Sequence, residues 1–537
     1  MTAVMLTPDR PPPKDYYQNN CRRLFSFVLQ NYGHLLEDAT SAHIEHFLSC
    51  SDDAQRLFAR LLSRKAVLRI DAINYAEIKN LRTTLEELES AELITPSPNR
   101  PGDQLLNLLR KDELGSLYLG VNPKLRKGEQ IEQWLSNHSD TQIAKKIRGK
   151  FPWLCIAQPD VWRLAQLLYF GDRQHDWSSF VLKDLGIVEY EKTVVEARFG
   201  DVASLHQDLE LRLLSDHSYL LDEHPALAPE LSDTLQTPLE DRYLDARRTQ
   251  ILLRIARWYE RHALNSQAIA IYTMINSHPA RERMVRLLHK LGRDSESHRL
   301  LETIKRIPLN EEEAQFAERF GKRKAGYQPP TTNLFIDKPR SDIEEQGLEL
   351  LLHDAPTDKA WGAHVENLLL PSLVGVLYWQ AIFADIKGAF TNPFQTGPND
   401  LYEKDFAKVR HEQIQKIEQA TATDDALYKH LCHQAAQKYG IANSLVSWTL
   451  FENIPLTDFL TAMPMADVRK ICAFLIRNLS HQRAGMPDLF IAYGEGKYEL
   501  VEVKGPSDQL QPGQRVWLKI LARMNIPARV LKLKVGK

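Results

Sequence analysis

The stretch over residues 484–506, AGMPDLFIAYGEGKYELVEVKGP, constrains this chain more than any other. Two hydrophobic runs, DLFIAY and YELVEV, flank Gly494-Glu495-Gly496-Lys497. β-branched and aromatic residues around a glycine-rich tetrad predict an antiparallel hairpin. In a hairpin centred near Glu495, Asp488 at the head of the first strand falls almost opposite Glu502 near the end of the second. Side chains alternate across a strand, so Lys504 emerges on the face of Glu502. Val501 and Val503 point to the other face, towards a core.

That placement has a chemical use. Two neighbouring carboxylates repel, and a bound Mg²⁺ or Mn²⁺ relieves the repulsion. Such an ion polarises a phosphoryl oxygen and lowers the pKa of a bound water. A lysine on the same face can orient that water or stabilise charge on the phosphorane. The alternative is a surface hairpin whose Glu502 and Lys504 simply pair. PD…ExK is the spelling of a large nuclease superfamily, PD-(D/E)xK. The longer string GMPDL…YELVEVKGP, with Gly485, Met486, Gly505 and Pro506 in place, resembles the virus-type replication-repair nuclease (VRR-NUC) domain.

At 537 residues the chain should hold about two to four domains. Its 43% hydrophobic and 26% charged residues are ordinary for a globular protein. A net charge of −2 gives no argument for nucleic acid, so any basic surface must be local. The five cysteines are scattered without a CxxC pair, which argues against a zinc finger or a disulfide framework and predicts a reducing compartment. No apolar run reaches the ~18 residues of a membrane span, and the start lacks the pattern of a secretory signal. The expectation is a cytoplasmic protein, nucleoid-associated in a bacterium, with no membrane partner.

The expected organisation is mostly α and multidomain: a helical N-terminal and repeat region, then a C-terminal α/β nuclease domain. Residues 1–95 read as a proline-rich start followed by helices, with an extended segment at Ala66-Val67-Leu68-Arg69-Ile70 that suits a winged-helix-like module. Residues 96–150 begin with a PSPNRP linker. Two amphipathic helices follow, around a Gly-Val-Asn-Pro turn and a basic trio, Lys124, Arg126 and Lys127. Basic side chains beside a helix N-terminus suit phosphate contacts, and this segment resembles the SAP DNA-binding module. A solvated helical hairpin is the alternative.

Residues 151–335 carry apolar stripes at helical spacing: Ile251, Leu252, Ile255 and Tyr259; Ala268, Ile271, Tyr272 and Ile275; Val285, Leu288 and Leu291. They resemble degenerate tetratricopeptide-type helix pairs. One helix places Arg283, Arg286 and Lys290 on one face, with Arg281 nearby. Its two readings are a solvated stripe and a phosphate pocket on the concave surface. Residues 307–347 read as the poorest in order, with a basic trio Lys322-Arg323-Lys324 and a boundary near 335. Residues 336–537 then form the nuclease domain. Its hairpin is preceded by an apolar helix running to about 386 and by a helical insertion over 403–480.

The string VENLLLPSLVGVLYWQAIF resembles the corresponding helix of the Fanconi-associated nucleases, and the order of segments along the chain resembles the bacterial type of that family. The resemblance implies a structure-specific, Mg²⁺- or Mn²⁺-dependent DNA nuclease. Its expected activities are 5′-flap endonuclease and 5′–3′ exonuclease, used in DNA repair including that of interstrand crosslinks. It implies that Glu366, on the helix before the hairpin, binds metal with Asp488, Glu502 and the carbonyl of Val503. Lys504 would then position the attacking water, Gln514 make a polar contact beside the site and Trp517 pack there. The expected partner is branched or flapped DNA, and the insertion argues for a monomer. Two further classes stand beside this one: a branched-DNA-binding scaffold with an inactive nuclease fold, and a dimeric Holliday-junction resolvase.

Overall fold

The computed structural model describes residues 15–64, 67–117, 124–171, 177–321 and 327–536. The proline-rich residues 1–14, the Gly-Val-Asn-Pro turn at 120–123 and the trio 322–324 lie outside the described residues.

The first unit contains helices Tyr16–Tyr32, Asp38–Ser49, Asp52–Leu62 and Leu81–Ser90 with strands β1 (Val67–Arg69) and β2 (Ile94–Pro96). Its sheet is completed from further along the chain. Strand β3 (Trp153–Ile156) lies between β1 and β2, antiparallel to both, with Leu68 opposite Leu154 and Thr95 opposite Cys155. Helix Pro159–Phe170 then packs on Tyr16–Tyr32, and Trp162 meets Phe25 edge-on at 5.2 Å. The boundary expected at 150 therefore falls just before a strand of the N-terminal unit. Residues 97–152 are an insertion between β2 and β3, with a small core of its own around Leu105, Leu106, Trp134 and Ile143. A two-residue strand, β4 (Glu189–Tyr190), follows.

The repeat region runs from Val202–His217 to Glu311–Arg319, and from Arg242–Arg261 onward each helix packs on the next. The expected stripes are buried, except that Leu291 is 40% exposed just after its helix ends. Asp208, fully buried, ties this region to the preceding loop through Arg198, Arg212 and Arg247.

The C-terminal domain is built on a five-stranded sheet. Its strands are β5 (Thr331–Ile336) and β6 (Trp361–His364), then, after the helical insertion, β8 (Leu489–Gly494), β9 (Lys497–Lys504) and β10 (Ala528–Val535). Within the insertion, β7 (Ile441–Ala442) pairs in parallel with β4. The spatial order is β5-β10-β9-β8-β6. β8 and β9 form the expected hairpin, while β10 runs parallel to both β9 and β5. The sheet thus starts at Thr331, inside the segment expected to be the poorest in order and just ahead of the boundary expected near 335.

Helix Ile343–His353 covers one face, where Leu348 and Leu351 join Val501, Val503 and Leu531. The insertion covers the other. Helix Leu369–Leu377 is buried at every residue, which is why its sequence is apolar all round. The apolar segment breaks at Tyr378 rather than running on to 386. Among the described residues no helix is long and apolar enough to cross a membrane.

Candidate active site

The hairpin register pairs Leu489 with Val501, so its continuation brings Asp488 beside Glu502. Gly494 and Gly496 both take positive φ at the tip, which the tight turn requires. The Val503 N–H donates to Asp488 Oδ2 at 2.7 Å. Asp488 is 4% exposed and Glu502 is 0% exposed. Lys504 Nζ lies 2.7 Å from Glu502 Oε1. Beyond that ion pair neither oxygen of Glu502 has a hydrogen-bond partner. Val501 and Val503 are buried on the opposite face, as alternation requires.

Burial pushes the Asp488 carboxyl up to about 6, against the pull of the Val503 N–H and Lys504, with Glu366 adding repulsion. Burial, and then the charge of Asp488, push Glu502 up to about 8, against Lys504. These carboxylates thus sit in a desolvated pocket short of positive charge. Gly485 takes a φ of +85° and passes so close to the start of helix Pro512–Arg523 that a Cβ would lie 2.8 Å from the Gly513 carbonyl carbon. Only glycine allows the Asp488 loop to seat there.

Glu366 joins this pair from a different element than expected. It lies in the turn between β6 and helix Leu369–Leu377, not on the helix. The Val365 N–H donates to the Asp488 carbonyl at 2.8 Å and so extends the β6–β8 pairing to the site. Asn367 holds Glu366 in place: its Nδ2 donates to Glu366 Oε1 at 3.1 Å, and its Oδ1 accepts the Met486 N–H at 3.4 Å. It does so at a φ of 54°, a left-handed conformation that asparagine tolerates better than most residues.

The sequence reading missed His364 and Asn367. One ligand atom each from His364, Glu366 and Asp488 lie within 4.8 Å of one another. The spacing H-x-E was visible, but without β6 nothing placed it beside the hairpin. The Glu366 and Asp488 carboxylates of that group fit a hard divalent cation, and Glu502, outside the group, adds a buried carboxylate beside Asp488 whose oxygens meet only Lys504.

Gln514 takes a structural part. Its Oε1 accepts the Gln511 N–H at 2.9 Å, closing the first turn of helix Pro512–Arg523. Trp517 is buried against Phe474, as expected of a packing residue.

The basic candidates divide. Arg281 turns to the buried Glu313 and to the Ile307 carbonyl. Arg283 pairs with Glu260, and Arg286 pairs with Glu282 at 2.8 Å over the Phe316 ring. Arg283 and Arg286 line a cleft of 1060 Å³ between the repeat helices and the C-terminal domain, whose Pro512 and Val516 form the far wall. Arg257, Arg261 and Arg319, all exposed, line it too and were missed. Arg281 and Lys290 are not part of its lining. Lys124, Arg126 and Lys127 stand at the start of helix Lys127–Asn137, where the Arg126 N–H donates to Glu129 at 2.6 Å and Lys127 Nζ to the Asn107 carbonyl at 3.0 Å.

A mixed sheet whose central hairpin buries an Asp-Glu-Lys set against a turn-borne acid defines a metal-dependent phosphodiesterase domain. The family model for the VRR-NUC domain matches residues 423–534, and that for the FAN1 HTH domain matches residues 15–95. The likeness extends along the whole chain. It is 30% identical over 544 residues to the Fanconi-associated nuclease 1 homolog of Pseudomonas aeruginosa, covering 97% of this chain and 96% of that one. It is 24% identical to the Arabidopsis thaliana homolog, over 98% of this chain and 67% of that one. The crystal structure of paFAN1 bound to 2-nt 5′-flap DNA with a gap superposes with a TM-score of 0.86 at 27% identity, covering 98% of this chain and 100% of that one. The chain belongs to the Fanconi-associated nuclease 1 family. It is a structure-specific DNA nuclease.

Proposed function

We propose that this nuclease cuts DNA at branches carrying a 5′ flap and trims from the 5′ side, in repair that includes interstrand crosslinks. Glu366, Asp488, Glu502 and the Val503 carbonyl would hold Mg²⁺ or Mn²⁺. The observation that carries this reading is Glu502, buried beside Asp488 with oxygens that no protein donor other than Lys504 approaches. When bound, such an ion polarises the scissile phosphate and makes water acidic enough to attack.

The chain's own groups do the rest. The Val503 N–H fixes the rotamer of Asp488, and Asn367 fixes Glu366. Lys504 stands on the Glu502 face, where its ammonium can orient the incoming water and meet charge developing on the phosphate. Arg257, Arg261, Arg283, Arg286 and Arg319 offer a 5′-terminal phosphate a cleft that ends on the nuclease helix. Lys124, Arg126 and Lys127 would contact the duplex backbone. The crystallised relatives carrying 1-nt and 2-nt 5′-flap DNA support the flap polarity.

Labelled 5′-flap, 3′-flap and four-way substrates, incubated with Mn²⁺, test the proposal. Preferred incision of the 5′ flap, lost in the Asp488→Ala, Glu502→Ala double variant, is the expected result. Equal cutting of 3′ flaps, or cleavage retained in the double variant, overturns it. Solution mass with and without DNA tests the monomer.

A further inference from the structure

The ligand set above leaves His364 without a role. It closes β6 opposite Leu489, one step across the ladder from Asp488. It is exposed, and no protein hydrogen bond holds its ring among the described residues. A neutral imidazole offers one in-plane lone pair, and here a ring nitrogen lies within 4.8 Å of both a Glu366 and an Asp488 oxygen. Independently, Glu502 on the inner side of Asp488 is wholly buried and unpartnered beyond Lys504. The cluster runs from the buried Asp488 through the half-buried Glu366 to the exposed His364.

We propose that His364 is a nitrogen ligand of the active-site cation and biases the site towards Mn²⁺ over Mg²⁺. The inference rests on the metal-dependent reading above. Mg²⁺ prefers oxygen donors in near-ideal octahedral geometry and gives up water reluctantly. First-row transition ions accept imidazole more readily, in the order Mn²⁺ < Fe²⁺ < Co²⁺ < Ni²⁺. A site of carboxylates and one carbonyl would treat Mg²⁺ and Mn²⁺ more nearly alike. Replacing one oxygen donor by an imidazole weakens the case for Mg²⁺ and improves it for Mn²⁺. The exposed position at the mouth also suits exchange of the ion with solvent.

The test is Mn²⁺ binding to the purified full-length protein without DNA, followed by electron paramagnetic resonance with Mg²⁺ as competitor. Wild type, His364→Ala, His364→Gln and Glu502→Gln are compared. Wild-type spin echoes should show modulation from a bound nitrogen, and His364→Ala should lose it. Mn²⁺ affinity should fall by at least about 10-fold in that variant, while Mg²⁺ affinity falls by less than about threefold. His364→Gln, which keeps the side-chain bulk and offers an amide oxygen, should bind both ions without the nitrogen signal and without the Mn²⁺ preference. Nitrogen modulation that persists in His364→Ala, or equal loss of both ions, overturns the assignment. Undiminished Mn²⁺ binding in Glu502→Gln would instead overturn the carboxylate site itself, a separate failure visible in the same titration.

Discussion

The backbone N–H of Val503 donates to Oδ2 of Asp488 across the hairpin, at 2.7 Å. The residue whose carbonyl is proposed as a ligand thus fixes the rotamer of the carboxylate it would share an ion with. Register, not loop placement, sets the geometry, because β9 is held between β8 and β10.

Asp488→Asn or Glu502→Gln should therefore lower cleavage by at least about 100-fold, while binding of a 5′-flap substrate changes by less than about threefold. Both amides preserve shape and remove only the charge that holds the ion. Rates under single turnover and a filter-binding isotherm check the two halves separately.

Glu502 also predicts how the metal-free protein answers pH. Its folded-state pKa, about 8, lies above that of an exposed glutamate. A carboxyl raised on folding stabilises the fold while protonated, and that contribution is lost as pH rises through the folded value. Without divalent ions, the Tm of the wild type should fall between about pH 5 and pH 8 more steeply than that of Glu502→Gln. Millimolar Mg²⁺ or Mn²⁺ should restore the wild type at the higher pH and leave the variant unmoved. Thermal melts in chelator and in metal decide it.

Asn367 supports the site at one remove. Asn367→Ala loses both of its hydrogen bonds and puts an alanine at a φ of 54°, a strain of about 1 kcal/mol or more. Asn367→Gly relieves the strain and still loses the bonds. Both variants should lose about tenfold in kcat with little change in KM, whereas only the alanine variant should melt earlier. Equal melting with full activity would show that Glu366 does not need its neighbour.

The contrast between Asp488 and Glu366 shows what the sequence could say. Asp488 and Glu502 meet through one local hairpin, whose turn residues and alternation are written in consecutive positions, so both could be placed. Glu366 could be named only by likeness, and its element was mistaken, because β6 is a four-residue strand whose partner lies beyond the helical insertion. His364 was missed for the same reason. β5 escaped because it is an edge strand with most of its side chains exposed, including Phe335 at 69%. Its pairing with β10 is non-local, as is that of β3 with β1 and β2. The apolar stripes of the repeat helices were legible, since helical periodicity is local.

The arginine cleft should act on the 5′ end rather than on the chemistry. Arg283 carries the ion pair of Glu260, so removing it leaves a nearly buried carboxylate behind. Arg319→Ala with Arg257→Ala is the cleaner test, because both side chains are exposed at the rim. The pair should lower kcat/KM by about three- to tenfold on 5′-phosphorylated flaps and much less on 5′-hydroxyl flaps. The double variant Arg283→Ala, Arg286→Ala should show the same preference with added loss of stability. Equal loss on both ends, measured with matched substrates, would remove the cleft from phosphate recognition.

Asp208 makes the opposite kind of prediction, on stability alone. Its carboxylate is fully buried and faces Arg198, Arg212 and Arg247, of which the first two also donate to the Gly171 carbonyl, at 2.8 and 2.9 Å. The three guanidinium groups hold the carboxyl below its ordinary range despite burial, and the same burial lowers Arg247 to about 10. Asp208→Asn would keep the shape and leave three cations facing one another without a counter-charge. Breaking a buried network from one side costs about 3–5 kcal/mol. The variant should unfold at markedly lower denaturant or temperature, while the fraction that remains folded cleaves with an unaltered rate per active molecule. Asp208→Asn with Arg247→Leu, which removes one of the three cations, should recover part of the loss. Denaturant titration of the single and double variants checks the coupling, and an additive result would show that the three arginines are held by other contacts.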